Sequence, residues 1–263
     1  MLVKIEVRIL IFPGTDFHFP STSVPAGTFL GSGLCSMDGA EWFSTLDLRS
    51  GYHNIPIREC DRDKTAFITR RGCFRYKVLP FGCTTAPSNF QRLTDLVLCG
   101  LTYTTCLVYL DDIIVYGRSF DEHLMRLREV FTRLRGANLK LHGKKCCFFK
   151  RRVSFLGHVL SGHGIEMQDD KIDAVKNRPV PRTTSERRSF LGICGYYRRF
   201  VDGFATIVVP LYKLQKKGVA FKWTVDQQNA FLRLKDALIS APILGVPRDE
   251  GTYLLVLMPW ILG

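Results

Sequence analysis

The sequence lacks any apolar run long enough to be taken as a membrane span. Met1–Phe12 is apolar but is broken by Lys4, Glu6 and Arg8, so it also lacks the continuous core of a signal peptide. Leu254–Leu262 is apolar but far shorter than the ~20 residues that a spanning helix needs. These absences predict an intracellular protein without a membrane anchor.

The sequence also lacks a disulfide framework and a zinc-binding pattern. Its nine cysteines are odd in number and form no Cys-x-x-Cys spacing, which favours a reducing compartment. Cys146 and Cys147 are adjacent and lie near His142, but no second ligand pair accompanies them. We therefore interpret both cysteines as strand residues.

Positive charge, by contrast, is abundant. The 263 residues carry a formal net charge of +13, which predicts a polyanionic partner. Arg118–Arg152 holds 11 basic and 3 acidic residues, and Pro181–Lys217 holds 8 and 2, so the rest of the chain is almost neutral. Because these basic residues are interleaved with aromatic ones, they favour a nucleic-acid surface over a merely solvated one.

Two adjacent carboxylates interrupt a regular apolar stretch. β-prone runs flank Asp111 and Asp112 on both sides, which predicts a hairpin with Asp-Asp at its tip. This is poor turn chemistry, because a two-residue turn needs positive φ and neither residue is glycine. A divalent cation would remove the repulsion between the carboxylates, and Mg²⁺ prefers such hard oxygen ligands. The pair indicates a metal site or, as the plainer alternative, a solvated turn.

A third carboxylate is predicted to join them. Trp42–Leu48 alternates as a strand that places Asp47 near its end, before the turn residues Arg49–Gly51. If this strand neighbours the hairpin, Asp47 meets Asp111 and Asp112. Three carboxylates at one sheet end could hold two Mg²⁺ ions about 4 Å apart, the arrangement used for in-line displacement at phosphorus.

The remaining periodicity predicts strands followed by helices. Further strands are predicted at Tyr52–Ile57, Thr65–Thr69, Phe74–Leu79, Cys146–Phe149 and Val153–Leu160. Helices are predicted at Ala86–Leu101, from Ser119 or Asp121 to Gly136, at Lys171–Lys176, after the capping box of Thr183 and Glu186, and at Gln228–Ile239 after that of Thr224 and Gln227. Gln91 lies on the first of these helices, where it either supports the site through a neighbour or is an exposed glutamine.

Five motifs occur in a fixed order: Ser44–Tyr52, Leu79–Gly82, Tyr109–Asp112, Phe155–Ser161 and Ser189–Phe200, and Phe221–Thr224 follows them. In that order they resemble the reverse transcriptase of gypsy-type LTR retrotransposons, over about Asp38 to about Leu255. The resemblance implies an α+β fold, with a polymerase palm (an antiparallel sheet with packed helices) and incomplete fingers at 38–160. An α-rich thumb and connection would occupy 161–220, and 221–263 would begin a truncated connection or ribonuclease H-like region. Residues 1–37 stay an unassigned leader.

The resemblance also implies roles for single residues. Asp47, Asp111 and Asp112 would be the catalytic ligands of two Mg²⁺ ions, with Mn²⁺ as the alternative metal. Tyr52 would gate the nucleotide sugar against a 2′-hydroxyl, and Phe81 would line the nucleotide pocket, where we also place Gln91. The primer grip would consist of Leu156, Gly157 and His158, and the thumb arginines that contact the nucleic-acid backbone would be Arg187, Arg188, Arg198 and Arg199.

The predicted function is that of an RNA-directed DNA polymerase, which adds deoxynucleoside triphosphates to a primer 3′-hydroxyl on an RNA or DNA template. A catalytically decayed nucleic-acid-binding relic of a retroelement is the alternative, and a Mg²⁺-dependent nuclease is a third. After Thr252–Leu255 the family continues with Thr-Asp-Ala-Ser, which this sequence does not contain. The ribonuclease H site, a protease triplet and a nucleocapsid zinc knuckle are therefore expected to be absent.

Overall fold

A computed structural model describes residues 34–214 and 221–245 of the chain. The apolar stretches Met1–Phe12 and Leu254–Leu262 lie outside these ranges. Residues 1–33 of the predicted leader and all residues after 245 also lie outside them. No helix in the described ranges is long and apolar enough to cross a bilayer.

The described strands are β1 (Trp42–Asp47), β2 (Phe67–Thr69), β3 (Gly72–Phe74), β4 (Cys106–Tyr109), β5 (Asp112–Gly117), β6 (Cys147–Lys150), β7 (Arg152–Phe155), β8 (His158–Ser161) and β9 (Gly164–Met167). The helices are α1 (Glu59–Arg62), α2 (Ala86–Val97), α3 (Phe120–Gly136), α4 (Asp169–Lys176), α5 (Thr184–Tyr196), α6 (Phe204–Lys213) and α7 (Val225–Ile239). Strands dominate before residue 168 and helices follow, so the predicted α+β fold is confirmed.

A four-stranded antiparallel sheet in the order β4-β5-β1-β6 organises the first half of the chain. Side chains alternate across β1, as its period predicted: Leu46 belongs to one buried cluster and Phe43 to the other. Helices α2 and α3 contribute Phe90 and Leu127 to the Leu46 cluster. The Phe43 cluster continues into helices α5 to α7, for example at Phe190. Strands β1, β4 and β5 are therefore mostly buried on both faces, whereas the edge strand β6 is largely exposed.

Two further β units carry residues of interest. β2 and β3 form a separate two-stranded hairpin, and β7, β8 and β9 form a three-stranded antiparallel sheet. The outer edge of β9 is covered by Leu244, which exchanges two backbone hydrogen bonds with Ile165, of 2.8 and 2.9 Å. Only glycine fits at the neighbouring position, because a Cβ on Gly164 would lie 2.2 Å from the carbonyl oxygen of Leu244.

Several predicted boundaries are wrong for identifiable reasons. Tyr52–Ile57 is not a strand: Gly51–Asn54 forms a 3₁₀ turn, and only Pro56 makes an isolated bridge, to Val78. The predicted strand Val153–Leu160 is two strands, because Leu156 and Gly157 both take positive φ values, 46° and 74°, and form a tight turn.

The helices are closer to their predictions. α2 begins at Ala86 as expected but ends at Val97, short of Leu101. Ser119 is the N-cap of α3, and its side chain accepts from Glu122 N–H at 3.2 Å. Among the predicted capping boxes, the Thr224 box is complete. In the other, Glu186 Oε2 accepts from Arg182 N–H at 2.7 Å instead of from the N-cap residue.

Candidate active site

The candidate site lies at the end of the four-stranded sheet where β1 stops. Asp47, the last residue of β1, is paired directly with Asp112, the first residue of β5. Asp111 precedes it in the turn, and its carbonyl oxygen accepts a hydrogen bond from Leu48 N–H at 3.0 Å. The predicted pairing of this strand with the hairpin is therefore confirmed, and the three aspartates share one sheet end.

The hairpin turn differs from its prediction. Its two central residues are Leu110 and Asp111, because Asp112 already belongs to β5. Leu110 supplies the positive φ, 55°, that the turn requires, at a steric cost that glycine would avoid. The turn aspartate is thus held beside a strained leucine.

Gln91 on α2 is hydrogen-bonded to this turn, although it lies 19 residues before Leu110 in the sequence. Its Oε1 accepts from Leu110 N–H at 2.6 Å, and its Nε2 donates to the Val108 carbonyl at 3.3 Å. The same Nε2 donates to Asp95 Oδ1 at 2.9 Å. Of the two alternatives that the sequence allows, the structure favours the supporting one, since the Gln91 amide bonds the N–H of the strained Leu110 and the carbonyl of Val108 before it.

Negative charge accumulates at this sheet end. Burial raises the pKa of Asp112, and the charges of Asp111 and Asp47 raise it further, while Lys145 lowers it. Lys145 Nζ lies 3.5 Å from Asp47 Oδ2. Sequence analysis missed Lys145, because its position after a loop carries no periodic signal that distinguishes it from Lys144.

The donor set fits a hard divalent cation in chemistry and location. Asp47, Asp111 and Asp112 offer only oxygen ligands, which suit Mg²⁺, and their mutual repulsion is the electrostatic signature that a cation would relieve. Among residues 34–214 and 221–245, however, no three His, Cys, Asp or Glu side chains already form a group able to hold a metal. The ammonium group of Lys145, 3.5 Å from Asp47 Oδ2, offsets part of the negative charge.

A cleft of about 460 Å³ opens next to the carboxylates. It is lined by Asp47, Leu48, Arg49, Ser50, Gly51, Tyr52, Phe81, Asp111, His142 and Lys145. The rings of Tyr52 and Phe81 lie 5.3 Å apart, and Tyr52 also packs edge-on against Phe90 at 5.6 Å. Gly51 makes this packing possible, because a Cβ there would lie 2.5–2.9 Å from three atoms of the Phe90 ring.

The predicted primer-grip residues form the β7–β8 turn. The hydroxyl of Tyr196 donates to the Leu156 carbonyl at 2.6 Å, and that of Tyr197 donates to the Gly157 carbonyl at 2.7 Å. Gly157 is constrained twice, by its φ of 74° and by Tyr197 Oη, which would lie 3.0 Å from an added Cβ. The turn is therefore held rigidly against the end of α5.

His158 is buried, whereas the turn residues Leu156 and Gly157 are half-buried. The Nδ1 of His158 lies 3.1 Å from the Leu156 carbonyl, and its ring packs on those of Tyr196, Tyr197 and Phe200. Burial, and secondarily Arg199, lowers the pKa of His158 to about 4. Any contact of this segment with a primer would therefore come from the turn backbone and not from the imidazole.

Comparison with known proteins identifies the family. A family model described as reverse transcriptase (RNA-dependent DNA polymerase) matches residues 4–160. The chain belongs to the reverse transcriptase family. The match begins within residues 1–37, where the sequence shows no recognisable motif.

Relatives of this reverse transcriptase chain include retrotransposon polyproteins. It is 43% identical over 214 residues to the Pol polyprotein of Drosophila melanogaster transposon 412, and 36% identical over 211 residues to the Schizosaccharomyces pombe transposon Tf2-3 polyprotein. These alignments cover 81% and 80% of this chain but only 17% and 16% of the relatives.

Solved foamy viral protease–reverse transcriptases have a similar structure. The form in complex with double-stranded DNA that is named dRH has a TM-score of 0.76 and 29% identity, over 86% of this chain and 40% of that one. The form in complex with an RNA/DNA hybrid has a TM-score of 0.71 and 29% identity, over 82% and 30%. The palm-like α+β architecture therefore agrees with that of solved reverse transcriptases.

One predicted nucleic-acid contact of the reverse transcriptase chain is wrong. Arg187 is only 1% exposed, and its guanidinium donates to the Leu211 carbonyl at 3.0 Å inside the helical half. It precedes Phe190, Leu191 and Cys194 at helical spacing and belongs to their buried face. This helical spacing is the feature of the sequence that predicts the burial of Arg187. Three of the predicted arginines, Arg188, Arg198 and Arg199, are exposed.

Arg187 and Arg188 should therefore respond differently to substitution. Arg187→Met should leave duplex affinity and its salt dependence unchanged and should not reduce stability, because a buried cation is often replaceable by an apolar side chain. Arg188→Gln should reduce the slope of log affinity against log salt concentration by about 0.9, the loss of one phosphate contact. Fluorescence anisotropy over a potassium chloride series measures both slopes. Equal slopes for the two variants would contradict the assignment.

Proposed function

We propose that this chain carries the polymerase site of a retrotransposon reverse transcriptase, extending a primer 3′-hydroxyl with deoxynucleoside triphosphates on an RNA or DNA template. One observation carries the proposal: Asp47 and Asp112 are paired across β1 and β5 beside a cleft that an aromatic pair lines. That combination suits a nucleotide whose phosphates lie near the carboxylates and whose sugar and base lie near the rings.

The chemistry follows from the charges of the site. Reverse transcriptases use divalent metal ions, and here Asp47, Asp111 and Asp112 would hold them. Two Mg²⁺ ions, when bound, would neutralise the charge that develops during in-line displacement at phosphorus and lower the pKa of the attacking hydroxyl. Leu110 and Gln91 keep Asp111 in place, and Lys145, whose Nζ lies 3.5 Å from Asp47 Oδ2, would contact a phosphate of the nucleotide. The primer 3′-hydroxyl loses its proton to water and its oxygen bonds to the α-phosphorus, while the bond from that phosphorus to the oxygen bridging the β-phosphate breaks and pyrophosphate leaves.

Nucleic acid is the partner that the charge of the chain supports. The similar foamy viral proteins were solved with double-stranded DNA and with an RNA/DNA hybrid. In this chain Arg188, Arg198 and Arg199 are exposed at or just beyond α5, and the β7–β8 turn lies against the end of that helix. We infer that a primer–template duplex runs along this surface, with contacts to phosphates that give affinity without sequence preference.

Primer extension tests the proposal directly. The chain is mixed with poly(rA)·oligo(dT), dTTP and Mg²⁺ or Mn²⁺, alongside a variant that carries both Asp111→Asn and Asp112→Asn. Extension by the original chain and none by the variant supports the polymerase. Tight duplex binding by both, without extension by either, overturns it in favour of a binding relic. Template loss without primer growth overturns it in favour of a nuclease.

Tyr52 should select the sugar of the nucleotide through its ring. Tyr52→Ala should raise incorporation of ribonucleotides relative to deoxynucleotides by roughly a hundredfold, because an excluded 2′-hydroxyl then finds space. Tyr52→Phe keeps the ring and should keep the selectivity. The ratio of kcat/KM for rUTP and dTTP measures both. If Phe and Ala relax selectivity equally, the hydroxyl and not the ring is the gate.

A further inference from the structure

The β2–β3 hairpin presents an open aromatic face. Phe67 and Phe74 are paired across the two strands, and their rings stack with centroids 6.0 Å apart and planes 29° apart. Tyr76, two residues beyond Phe74, places its ring 5.4 Å from that of Phe67. These side chains are 43%, 47% and 40% exposed, respectively. Phe67 thus contacts both other rings, and among the described residues the three share one partly exposed face.

The opposite face of the hairpin is different in chemistry. Ile68 pairs with Cys73 across the strands, and its side chain is 87% exposed. Since neighbouring residues of a strand point to opposite faces, Ile68 is close to the aromatic face in sequence but separated from it by the backbone. It therefore offers a matched control position.

Exposed cations lie close in sequence to the aromatic residues of the hairpin. Arg70 and Arg71 form the exposed tip, and Lys77 follows Tyr76. Among the described residues, no carboxylate forms an ion pair with any of these three, whereas the nearby Arg75 pairs with Asp63. An aromatic surface close to cations that have no carboxylate partner in the described ranges fits a polyanion with flat groups that can stack on the rings, such as the bases of a nucleic acid.

The hairpin is rooted at the rim of the nucleotide cleft. Its base is fixed by hydrogen bonds from Ile57 N–H to the Lys77 carbonyl at 3.0 Å and from Leu79 N–H to the Ile55 carbonyl at 2.9 Å. Tyr52 precedes this root by three residues and Phe81 follows it by two, and both line the cleft. Tyr76 and Phe74 lie one and three residues before Lys77, so the chain places them at most about 11 Å from this root.

We propose that Phe67, Phe74 and Tyr76 form a stacking platform for unpaired template bases ahead of the site, with Arg70, Arg71 and Lys77 contacting the phosphates. The platform rests on the proposed polymerase function, because it needs a template strand. Aromatic side chains bind single strands by stacking on each base in turn, with little sequence preference. Within a duplex the base faces are already stacked on one another, so the platform selects the unpaired part of the template.

Equilibrium binding without turnover tests the platform. Fluorescence anisotropy is measured on the full chain in EDTA with a primer–template duplex that carries a six-nucleotide 5′ overhang. A second duplex has an abasic overhang, which keeps the phosphates and removes the bases. Phe74→Ala and Tyr76→Ala should each weaken binding of the base-bearing overhang about tenfold, the loss of one stacked base. Binding of the abasic overhang should not change.

Two controls keep the outcome clear. Ile68→Ala removes an exposed apolar side chain from the other face and should leave both affinities unchanged, while Phe74→Trp keeps a stacking ring and should retain tight binding. Wild-type affinity in both alanine variants, or equal losses on the abasic overhang, would overturn the platform.

The platform and the polymerase can fail separately. Base-dependent binding without primer extension would support the platform and overturn the proposed function, whereas extension with base-independent binding would overturn only the platform.

Discussion

Replacing Asp112 with Asn should slow nucleotide addition by roughly a thousandfold or more, because the loss of a metal ligand removes several kcal/mol of charge stabilisation. Duplex affinity should stay nearly unchanged, since phosphate contacts come from the basic surface. Single-turnover primer extension measures the rate, and anisotropy measures the affinity. Asp236→Asn, an exposed carboxylate on α7, is the matched control and should be fully active.

The stability of the same variant should move in the opposite direction from its activity. Because the pKa of Asp112 is higher in the folded chain than its ordinary value, ionisation of Asp112 destabilises the metal-free fold at neutral pH. Asn removes that charge, so the melting temperature without metal should be equal or higher. A lower melting temperature together with lost activity would indicate misfolding and would contradict the role of Asp112 as a ligand.

Gln91→Leu should lower kcat/KM by roughly 10- to 100-fold, the usual effect of removing a partner that orients a metal ligand. The leucine fills similar space but cannot accept from Leu110 N–H, so the strained turn that carries Asp111 loses its support. The melting temperature should also fall, since the half-buried Leu110 N–H loses its acceptor. Steady-state kinetics and thermal unfolding together measure the two effects.

The variant Gln91→Glu separates positioning from packing. It keeps an acceptor for Leu110 N–H, loses the donor to Val108, and places a second carboxylate near Asp95. Activity should recover most of the way toward the original chain. Full activity in Gln91→Leu, or equal loss in both variants, would contradict the support that we assign to the amide.

How far the sequence predicts the fold can be judged from β1 and its partners. The alternation of Trp42–Leu48 identified the strand and its two faces, and the apolar flanks of Asp111 and Asp112 identified β4 and β5. The turn itself was placed one residue too late. Turn chemistry argues against leucine at positive φ, and what holds Leu110 there is Gln91, whose position depends on helix packing.

In the helical half, too, the sequence predicts the local features but not the contacts that packing sets. The caps at Thr183 and Thr224 and the residues that follow them mark the helix starts, because capping is a local interaction. The burial of Arg187 depends instead on α6, which brings the Leu211 carbonyl to its guanidinium. Arg187, which stands next to Arg188 in a basic segment, is expected to be exposed until its helical neighbours are compared.

The sequence by itself determined the family, the strand that ends at Asp47 and the hairpin that holds Asp111 and Asp112, because motif order and period are local properties of the chain. Only the tertiary structure decided which groups meet: Asp47 with Lys145, Leu110 with Gln91, and the turn at Gly157 with two tyrosines of the helical half. These contacts join residues far apart in sequence, and their partners are selected by packing geometry, which no local pattern records.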